Sequence, residues 1–288
     1  MNKIVKGTIF DGKARVAIVE ITDIVNEEIK MHDLSPLAAA ALGRTMAVGA
    51  YISNNLKNES TKFSITVNGG GILGNIVVAG EGGNFIRGFV ANTKATLPLK
   101  ENGHLDVGNG VGKNGFFTVI TDFGLKDAYV GKIPLVSGEI AEDFTQYLYK
   151  SEGIENAVAL GVRMTKDGCI GAGGIIVEPL PDADDNMICM IEDIMTNFTN
   201  VSEIIASLGA EEIFNFYFGH LNAQKYNTEE VVLRCNCSKE KIENIIVGLG
   251  EKEAMDIVSE VGKLEIGCQF CGKNYSYSKA EVENLWQK

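Results

Sequence analysis

Apolar and polar positions in the first part of the chain alternate as in β-strands. The stretches "KIVKGTIF" and "ARVAIVEIT" are rich in Val and Ile, and the turn sequence "DGK" separates them at 11–13. We therefore predict strands up to about residue 30. The next run, beginning "SPLAAAALGR", is apolar on most sides and rich in Ala and Leu, with Ser35 as N-cap and Pro36 in the first turn. It predicts a helix that is buried in the domain.

Short strands with dense glycine follow over 62–136, where β-branched residues recur with period two. The pattern then changes to a helix in "SGEIAEDFTQYLYKSEG", with Ser137 as its predicted cap. One face of this helix carries apolar residues at helical spacing, namely Ile140, Phe144 and Leu148. The sequences "NAVALGVRM" and "GAGGIIVEPL" predict a closing hairpin. Residues 1–178 are thus expected to form one mixed α/β domain with long antiparallel strands.

A change of composition at "EPLPDADDNM" predicts a domain boundary, because Pro179 and Pro181 stand among acidic residues. Short helical patterns follow in "MICMIEDIMTNF", "VSEIIASL" and "EEIFNFYFGH", all rich in Met, Ile and Phe. This segment is too small to bury its own apolar faces and has to pack on another part of the protein. We predict that 179–230 is a helical, apolar-rich linker.

Residues 231–288 are predicted to be a separate small module. "VVLRC" is typical of a short strand, and Ser238 can cap the helix that follows. Two helical faces are expected, one with Ile242, Ile245, Ile246 and Leu249 and one with Ala254, Ile257, Val258 and Val261. "KLEIGCQFCGKNYSYS" predicts a hairpin, and Ser278 with Glu281 predicts a capping box. The fold class is therefore α+β, with an N-terminal mixed domain, a helical linker and a C-terminal module.

Four of the six cysteines lie in this module, in two tight pairs: Cys235 with Cys237, and Cys268 with Cys271. The C-x-C and C-x-x-C spacings together supply the four soft thiolates that tetrahedral zinc prefers. A module of fewer than 60 residues is also of the size at which a structural metal is usually needed. We predict one zinc ion held by these four residues. Cys169 and Cys189 stand among apolar neighbours and are expected to be small core residues.

Charge and local motifs limit the remaining classes of function. The formal net charge of −12 disfavours binding to a phosphate backbone, and the module itself holds eight Lys/Arg and nine Asp/Glu. No secretory signal or membrane span is recognised, so we expect a cytoplasmic protein. The glycines of "GGGILG" precede another strand-like run, which favours a turn over a nucleotide site. Scattered histidines give no sign of a catalytic triad, and we do not expect an enzyme.

Zinc alone leaves two interpretations of the module open. It can be a zinc ribbon that binds a partner without any redox change. Alternatively it can be a sensor, because oxidised thiolates no longer hold the metal and the folding energy that the metal supplies is then lost. In that case the small module should unfold when it is oxidised.

The chain resembles the heat shock protein 33 family, the redox-regulated 33 kDa chaperonins, nearly from end to end. The resemblance rests on "SPLAAAALGR", "FIRGFV", "YVGKIPLVSGEIAEDFTQYLYKSEG" and "EPLPDAD". It rests most specifically on "CNCSKEKI" at 235–242 and "GCQFCGKNYSYS" at 267–278, in this order and at this distance. Gln269 stands where the family commonly has Glu, which removes one charge beside the cysteine pair.

The resemblance implies an ATP-independent holdase of the cytosol that is inactive when it is reduced and zinc-bound. Peroxide-type or hypochlorous oxidants, together with unfolding conditions, are then expected to form the disulfides Cys235–Cys237 and Cys268–Cys271. Zinc release, unfolding of the module and exposure of a surface for unfolding client proteins should follow. The active form is expected to be a homodimer, and neither nucleic acid nor membrane is an expected partner.

Overall fold

The computed structural model describes residues 2–286, which form two compact units joined between Arg234 and Cys235. Both units combine helices with mainly antiparallel strands, so the predicted α+β class is confirmed. The division into 1–178, 179–230 and 231–288 stays a prediction; the structure groups residues 179–230 with the first unit. Within the described residues, no helix is both long and apolar enough to cross a membrane.

The strands form three sheets. In chain order they are β1 (Lys3–Ile9), β2 (Ala14–Glu20), β3 (Lys62–Asn68), β4 (Ile76–Glu81), β5 (Phe85–Val90), β6 (Phe116–Asp122), β7 (Tyr129–Pro134), β8 (Ala157–Thr165), β9 (Gly168–Pro179), β10 (Gln224–Glu230), β11 (Val232–Leu233), β12 (Leu264–Gly267) and β13 (Asn274–Tyr277). One sheet has the order β10-β1-β2-β9-β8 and a second has β11-β5-β4-β3-β6-β7. The third is the β12–β13 hairpin. Every strand pair is antiparallel except β11 with β5.

The helices are α1 (Thr22–His32), α2 (Pro36–Asn55), α3 (Val107–Val111), α4 (Ala141–Tyr147), α5 (Asp185–Met195), α6 (Val201–Ile213), α7 (Lys239–Leu249), α8 (Glu251–Val261) and α9 (Lys279–Glu283). Short π or 3₁₀ turns extend some of them, over Leu148–Glu152, Thr196–Asn200, Phe214–Phe218 and Asn284–Trp286.

Helix α2 is the centre of the first unit. It is buried along most of its length and packs against strands of both large sheets. The hydroxyl of Ser35 accepts a hydrogen bond from the Ala38 amide at 3.2 Å, and Pro36 stands in the first turn, as predicted. An Ala- and Leu-rich helix suits this position because small side chains let two sheets approach it closely.

Successive side chains of the first large sheet point to opposite faces, and each face packs into a different core. Ala17 and Val19 of β2 join the core around α2, whereas Val16 and Ile18 face the helices of the predicted linker. On that second side the sheet is covered by side chains from α5, α6 and the turns beside them: Ile191, Phe198, Ile205, Phe214 and Phe218. The linker helices therefore pack on another part of the protein. This confirms the prediction that a segment of this size cannot bury its apolar faces by itself.

The secondary structure differs from the prediction at several points. Residues 22–32 form helix α1 and not a strand, because Ile24, Val25 and Glu28 recur at helical spacing and are buried together. Ser137 does not cap the helix of 141–147. The Asp143 carboxylate takes that role by accepting from the amides of residues 136, 137 and 140. Strand β10 was not expected at all, since its sequence "QKYNTEE" is almost entirely polar.

The glycine-rich segment after β3 is a turn, as predicted. Gly70 and Gly74 have positive φ angles of 76° and 66°, and the segment leads into strand β4. At Gly71 an added Cβ would lie 2.3 Å from the carbonyl oxygen of Gly110, so only glycine fits there. The close contact of two backbones explains these glycines without any nucleotide.

The second unit is a small α+β module. Among its described residues, 235–286, the core consists of eight buried side chains: Ile242, Ile246, Ala254, Val258, Leu264, Tyr275, Tyr277 and Val282. Ser238 caps α7, and Ser278 forms the predicted capping box with Glu281 at α9. Each predicted apolar helix face is only half buried, because the hairpin covers one side. Residues Ile245, Leu249, Ile257 and Val261 remain exposed.

Candidate metal centre

The first cysteine pair follows directly after a fixed edge strand. Strand β11 pairs with β5 in parallel, and the Arg234 amide donates to the Ile86 carbonyl at 2.9 Å. The Arg234 guanidinium is paired with the Glu81 carboxylate and lies over the Phe85 ring. These contacts fix the chain up to the residue before Cys235.

The second pair lies at the turn of the predicted hairpin, which is formed by β12 and β13. The Cys268 amide donates to the Lys273 carbonyl at 2.9 Å, and the Gly272 amide donates to the Cys268 carbonyl at 2.8 Å. Gly272 has a φ of 66°, a conformation that glycine adopts without strain. This tight turn brings Cys268 and Cys271 to the same end of the hairpin.

The structure brings all four predicted residues together. Their Sγ atoms lie within 4.8 Å of one another, with 3.7 Å between Cys235 and Cys268 and 3.5 Å between Cys237 and Cys271. All four are free thiols and partly buried. Zinc–sulfur bonds of about 2.3 Å in a regular tetrahedron would place the sulfurs about 3.8 Å apart. Four sulfur donors at this spacing can hold a metal ion.

Hydrogen bonds give the sulfurs different proton affinities. Burial, followed by side-chain contacts with the other thiols, raises the pKa of Cys235 to about 12. Burial also acts to raise the pKa of Cys237, but hydrogen bonds from Tyr275 and the neighbouring thiols outweigh it and lower this pKa to about 7. Donation to Cys237 in turn raises the pKa of the Tyr275 phenol to about 12. Of Cys235 and Cys237, the second is therefore expected to lose its proton first when no metal is bound.

The other two cysteines have no part in this cluster. Cys169 is buried as predicted, and burial raises the pKa of its thiol to about 11. The prediction for Cys189 is wrong, because its side chain is exposed. Helix α5 buries Ile191, and a residue two positions away on a helix points to roughly the opposite side.

Tyr275 is a contributor to the site that the sequence arguments missed. Its hydroxyl donates to Cys237 Sγ at 3.3 Å. Strand alternation in "NYSY" does place Tyr275 and Tyr277 on one face of the hairpin, and both are buried in the core of the module. The alternation predicts burial, but it could not show which of the two hydroxyls reaches a sulfur.

Fold and site together define an α+β protein with a four-thiol centre in a small C-terminal module. The family model described as "Hsp33 protein" matches residues 2–278. A 33 kDa chaperonin of Clostridium perfringens (strain SM101) is 37% identical over 293 residues, covering 100% of this chain and 92% of the relative. A 33 kDa chaperonin of Bacillus velezensis is 38% identical, covering 99% of this chain and 98% of the relative.

The fold agrees with a solved structure of the same kind. The crystal structure of the 33 kDa chaperonin (heat shock protein 33 homolog) from Thermotoga maritima matches with a TM-score of 0.92 and 33% identity. The match covers 99% of this chain and 98% of that one. The chain therefore belongs to the Hsp33 family, and it is a chaperone and not an enzyme. Membership in a chaperone family implies that it binds unfolded client proteins.

Proposed function

We propose that this protein is a redox-regulated, ATP-independent holdase that is inactive when reduced and zinc-bound. The observation that carries the proposal is the cluster of four free thiols within 4.8 Å, in a module whose described residues, up to 286, form a core of eight buried side chains. The free energy of unfolding of a module of this size is small, so the binding energy of a metal can determine whether the module is folded.

Cys235, Cys237, Cys268 and Cys271 are the proposed ligands of one zinc ion per chain. Their sulfur distances of 3.5 and 3.7 Å are close to those of a tetrahedral four-thiolate site. Bound zinc would keep the four sulfurs as thiolates and contribute folding free energy on the order of 10 kcal/mol. The turn of the β12–β13 hairpin would present Cys268 and Cys271 to the other cysteine pair.

Oxidation by a peroxide is the proposed trigger. One thiolate attacks a peroxide oxygen and becomes a sulfenic acid, and the partner thiolate then attacks that sulfur and displaces hydroxide. In sum, two thiolates, one peroxide molecule and two protons give one disulfide and two water molecules. Two such events consume all four ligands, and the site can no longer hold a metal.

We assign the disulfides to Cys235–Cys237 and Cys268–Cys271, the pairing that the family resemblance implies. All four sulfurs are near one another, so distance also permits bonds between the pairs. The proposed unfolding of the module requires bonds within each pair. A bond such as Cys235–Cys268 would tie together two halves of the module and restrict its unfolded state, which stabilises the fold. Bonds within each pair leave the module free to unfold.

Unfolding of the module is proposed to expose the client-binding surface through the linker. The linker helices cover one face of the first large sheet with apolar side chains, including Phe198 and Phe218. The chain runs from these helices through β10 and β11 to Cys235, so disorder beyond Cys235 can loosen the segment before it. Once released, the Met-, Ile- and Phe-rich linker and the bare sheet face offer adaptable apolar surfaces.

The proposed partners are unfolding client proteins in the cytoplasm, with a homodimer as the active form and with neither nucleic acid nor membrane as a partner. A second function is favoured by one observation: Ile245 and Val261 on the module helices are 54% and 65% exposed. A zinc ribbon that docks a protein partner without redox change would use such residues.

The test compares zinc content, free thiols and suppression of client aggregation before and after mild peroxide treatment. We expect about one zinc and six thiols per reduced chain, and holdase activity only after four thiols and the zinc are lost. Peptide mapping should find bonds within each pair. Activity that is equal in both states would refute the switch, and partner binding only by the zinc-loaded form would support the zinc-ribbon function.

A further inference from the structure

The two tyrosines of β13 have nearly the same surroundings but different hydroxyl partners. Tyr275 and Tyr277 point to the same face of the hairpin and are 9% and 1% exposed. Both rings belong to the core of the module. The Tyr275 hydroxyl donates to Cys237 Sγ at 3.3 Å, whereas the Tyr277 hydroxyl donates to the Lys239 carbonyl at 3.5 Å. Only one of these two hydroxyls therefore contacts a sulfur.

A hydroxyl that donates to a thiolate draws electron density away from the sulfur. The sulfur then attacks an oxidant more slowly, because nucleophilicity depends on the electron density that it can offer. Hydrogen-bond partners of metal ligands also hold the ligand in place, and their loss typically weakens metal binding by about 10- to 100-fold. Both effects act in the same direction, since each slows the loss of the metal.

We propose that Tyr275 is a positioning residue that protects Cys237 and thereby sets the oxidant threshold of the switch. This inference rests on the proposed zinc site and redox function. The ring of Tyr275 packs in the module core, and its hydroxyl donates to Cys237 Sγ. A change at this sulfur can therefore affect the packing of the core through one side chain.

Oxidation weakens this link by a definite step. A thiolate is a charged acceptor, whereas a disulfide sulfur is neutral and accepts only weakly. When Cys237 enters a disulfide, the Tyr275 hydroxyl loses its charged partner. The contact between β13 and the cluster is then weaker than in the reduced protein.

The test compares Tyr275→Phe with Tyr277→Phe. Each change removes one hydroxyl from the same strand and keeps the ring that fills the core. Zinc release under a fixed peroxide concentration is followed with a chromophoric chelator. We expect release from Tyr275→Phe to be about 10-fold faster than from the wild type. Tyr277→Phe should release zinc at close to the wild-type rate. Equal rates in the two variants would overturn the inference, because they would show a general loss of stability.

A second readout does not depend on oxidation. In the reduced protein loaded with Co²⁺, the sulfur-to-cobalt charge-transfer band should shift in Tyr275→Phe and stay unchanged in Tyr277→Phe. An unshifted band in Tyr275→Phe would overturn the inference. Failure of the proposed function has a different signature: the wild type would then bind no zinc, or would keep its zinc and its inactivity after all four thiols are oxidised.

Discussion

The segment before Arg234 buries helix α2 along most of its length between apolar strands of two sheets, whereas the segment after it buries eight core residues. The first unit can rely on burial of apolar surface, which contributes about 25 cal/mol per Å². The second leaves Ile245, Leu249 and Val261 exposed on its helices although they are apolar. A small core that leaves apolar residues uncovered needs another source of stability.

The difference teaches where a switch can be built. A large core does not respond to the loss of one ion, because many contacts share its stability. Under the proposed function, the stability of the small module depends on four sulfurs, and the module responds as a whole when they are oxidised. The predicted linker, 179–230, is grouped with the first unit, and the chain continues from it to the cysteines of the second unit.

The largest effect is expected from the loss of one cysteine of the metal centre, which should unfold the second unit and leave the first unit folded. Cys271→Ser should abolish tight zinc binding and unfold the module, a loss on the order of 10 kcal/mol, because three thiolates hold the ion much less well. Helix α2 should stay protected. Hydrogen exchange resolved along the chain, together with metal analysis, measures both. Cys189→Ser is the matched control, since that cysteine is exposed and outside the cluster. Tight zinc binding by Cys271→Ser would contradict the ligand set.

The next effect tests the contact between linker and sheet. Phe218→Ala should cost about 3–5 kcal/mol, because Phe218 is 1% exposed in the linker core. We expect the variant to suppress client aggregation while it is still reduced and zinc-bound. Phe216→Ala is the control, because Phe216 lies two residues away and is 70% exposed. A Phe218→Ala protein that stays inactive would contradict the proposal that linker release exposes the client surface.

A smaller effect concerns the end of the first unit. Arg234→Ala removes the pair with Glu81 and the stacking on Phe85, which together should contribute about 1 kcal/mol. Faster amide exchange at Val232 and Arg234 would report looser pairing of β11 with β5. Arg163→Ala removes an exposed pair with Glu203 and should leave these amides unchanged. If exchange at β11 is also unchanged in Arg234→Ala, the guanidinium does not hold this strand.

The smallest effect is expected from the loss of a helix cap in the module, and it tests whether folding of the module and metal binding are coupled. Ser238→Ala removes the cap of α7 and should cost about 1 kcal/mol. If the module folds only with metal, that loss should weaken zinc binding by about 5-fold, as measured by competition with a chelator. Ser35→Ala removes a cap in the first unit and should leave zinc affinity unchanged. Unchanged affinity in Ser238→Ala would mean that the module is folded without metal.

Much of the fold could be predicted from periodicity and caps. The buried helix after Ser35, the hairpin around Cys268 and the caps at Ser238 and Ser278 are confirmed. Helix α1 was missed because its Ile and Val content is typical of strands. Strand β10 was missed because its stability comes from pairing with β1 and not from its own polar sequence.

The candidate site could be predicted in part. The cysteine spacing identified all four residues that the structure brings within 4.8 Å. Side-chain contacts across the module could not be predicted from the sequence, because they depend on how the helices pack on the hairpin. Tyr275 is the clearest case, since it became part of the site only when its distance to Cys237 was known.

The most direct test of the central claim is hydrogen exchange, resolved along the chain, on the zinc-bound reduced protein and on the oxidised protein. The account predicts that residues 239–283 lose protection on oxidation and that the linker helices at 185–218 lose it with them. Helix α2 at 36–55 should keep its protection in both states. If the module keeps its protection after zinc has left and four thiols are oxidised, the central claim is wrong.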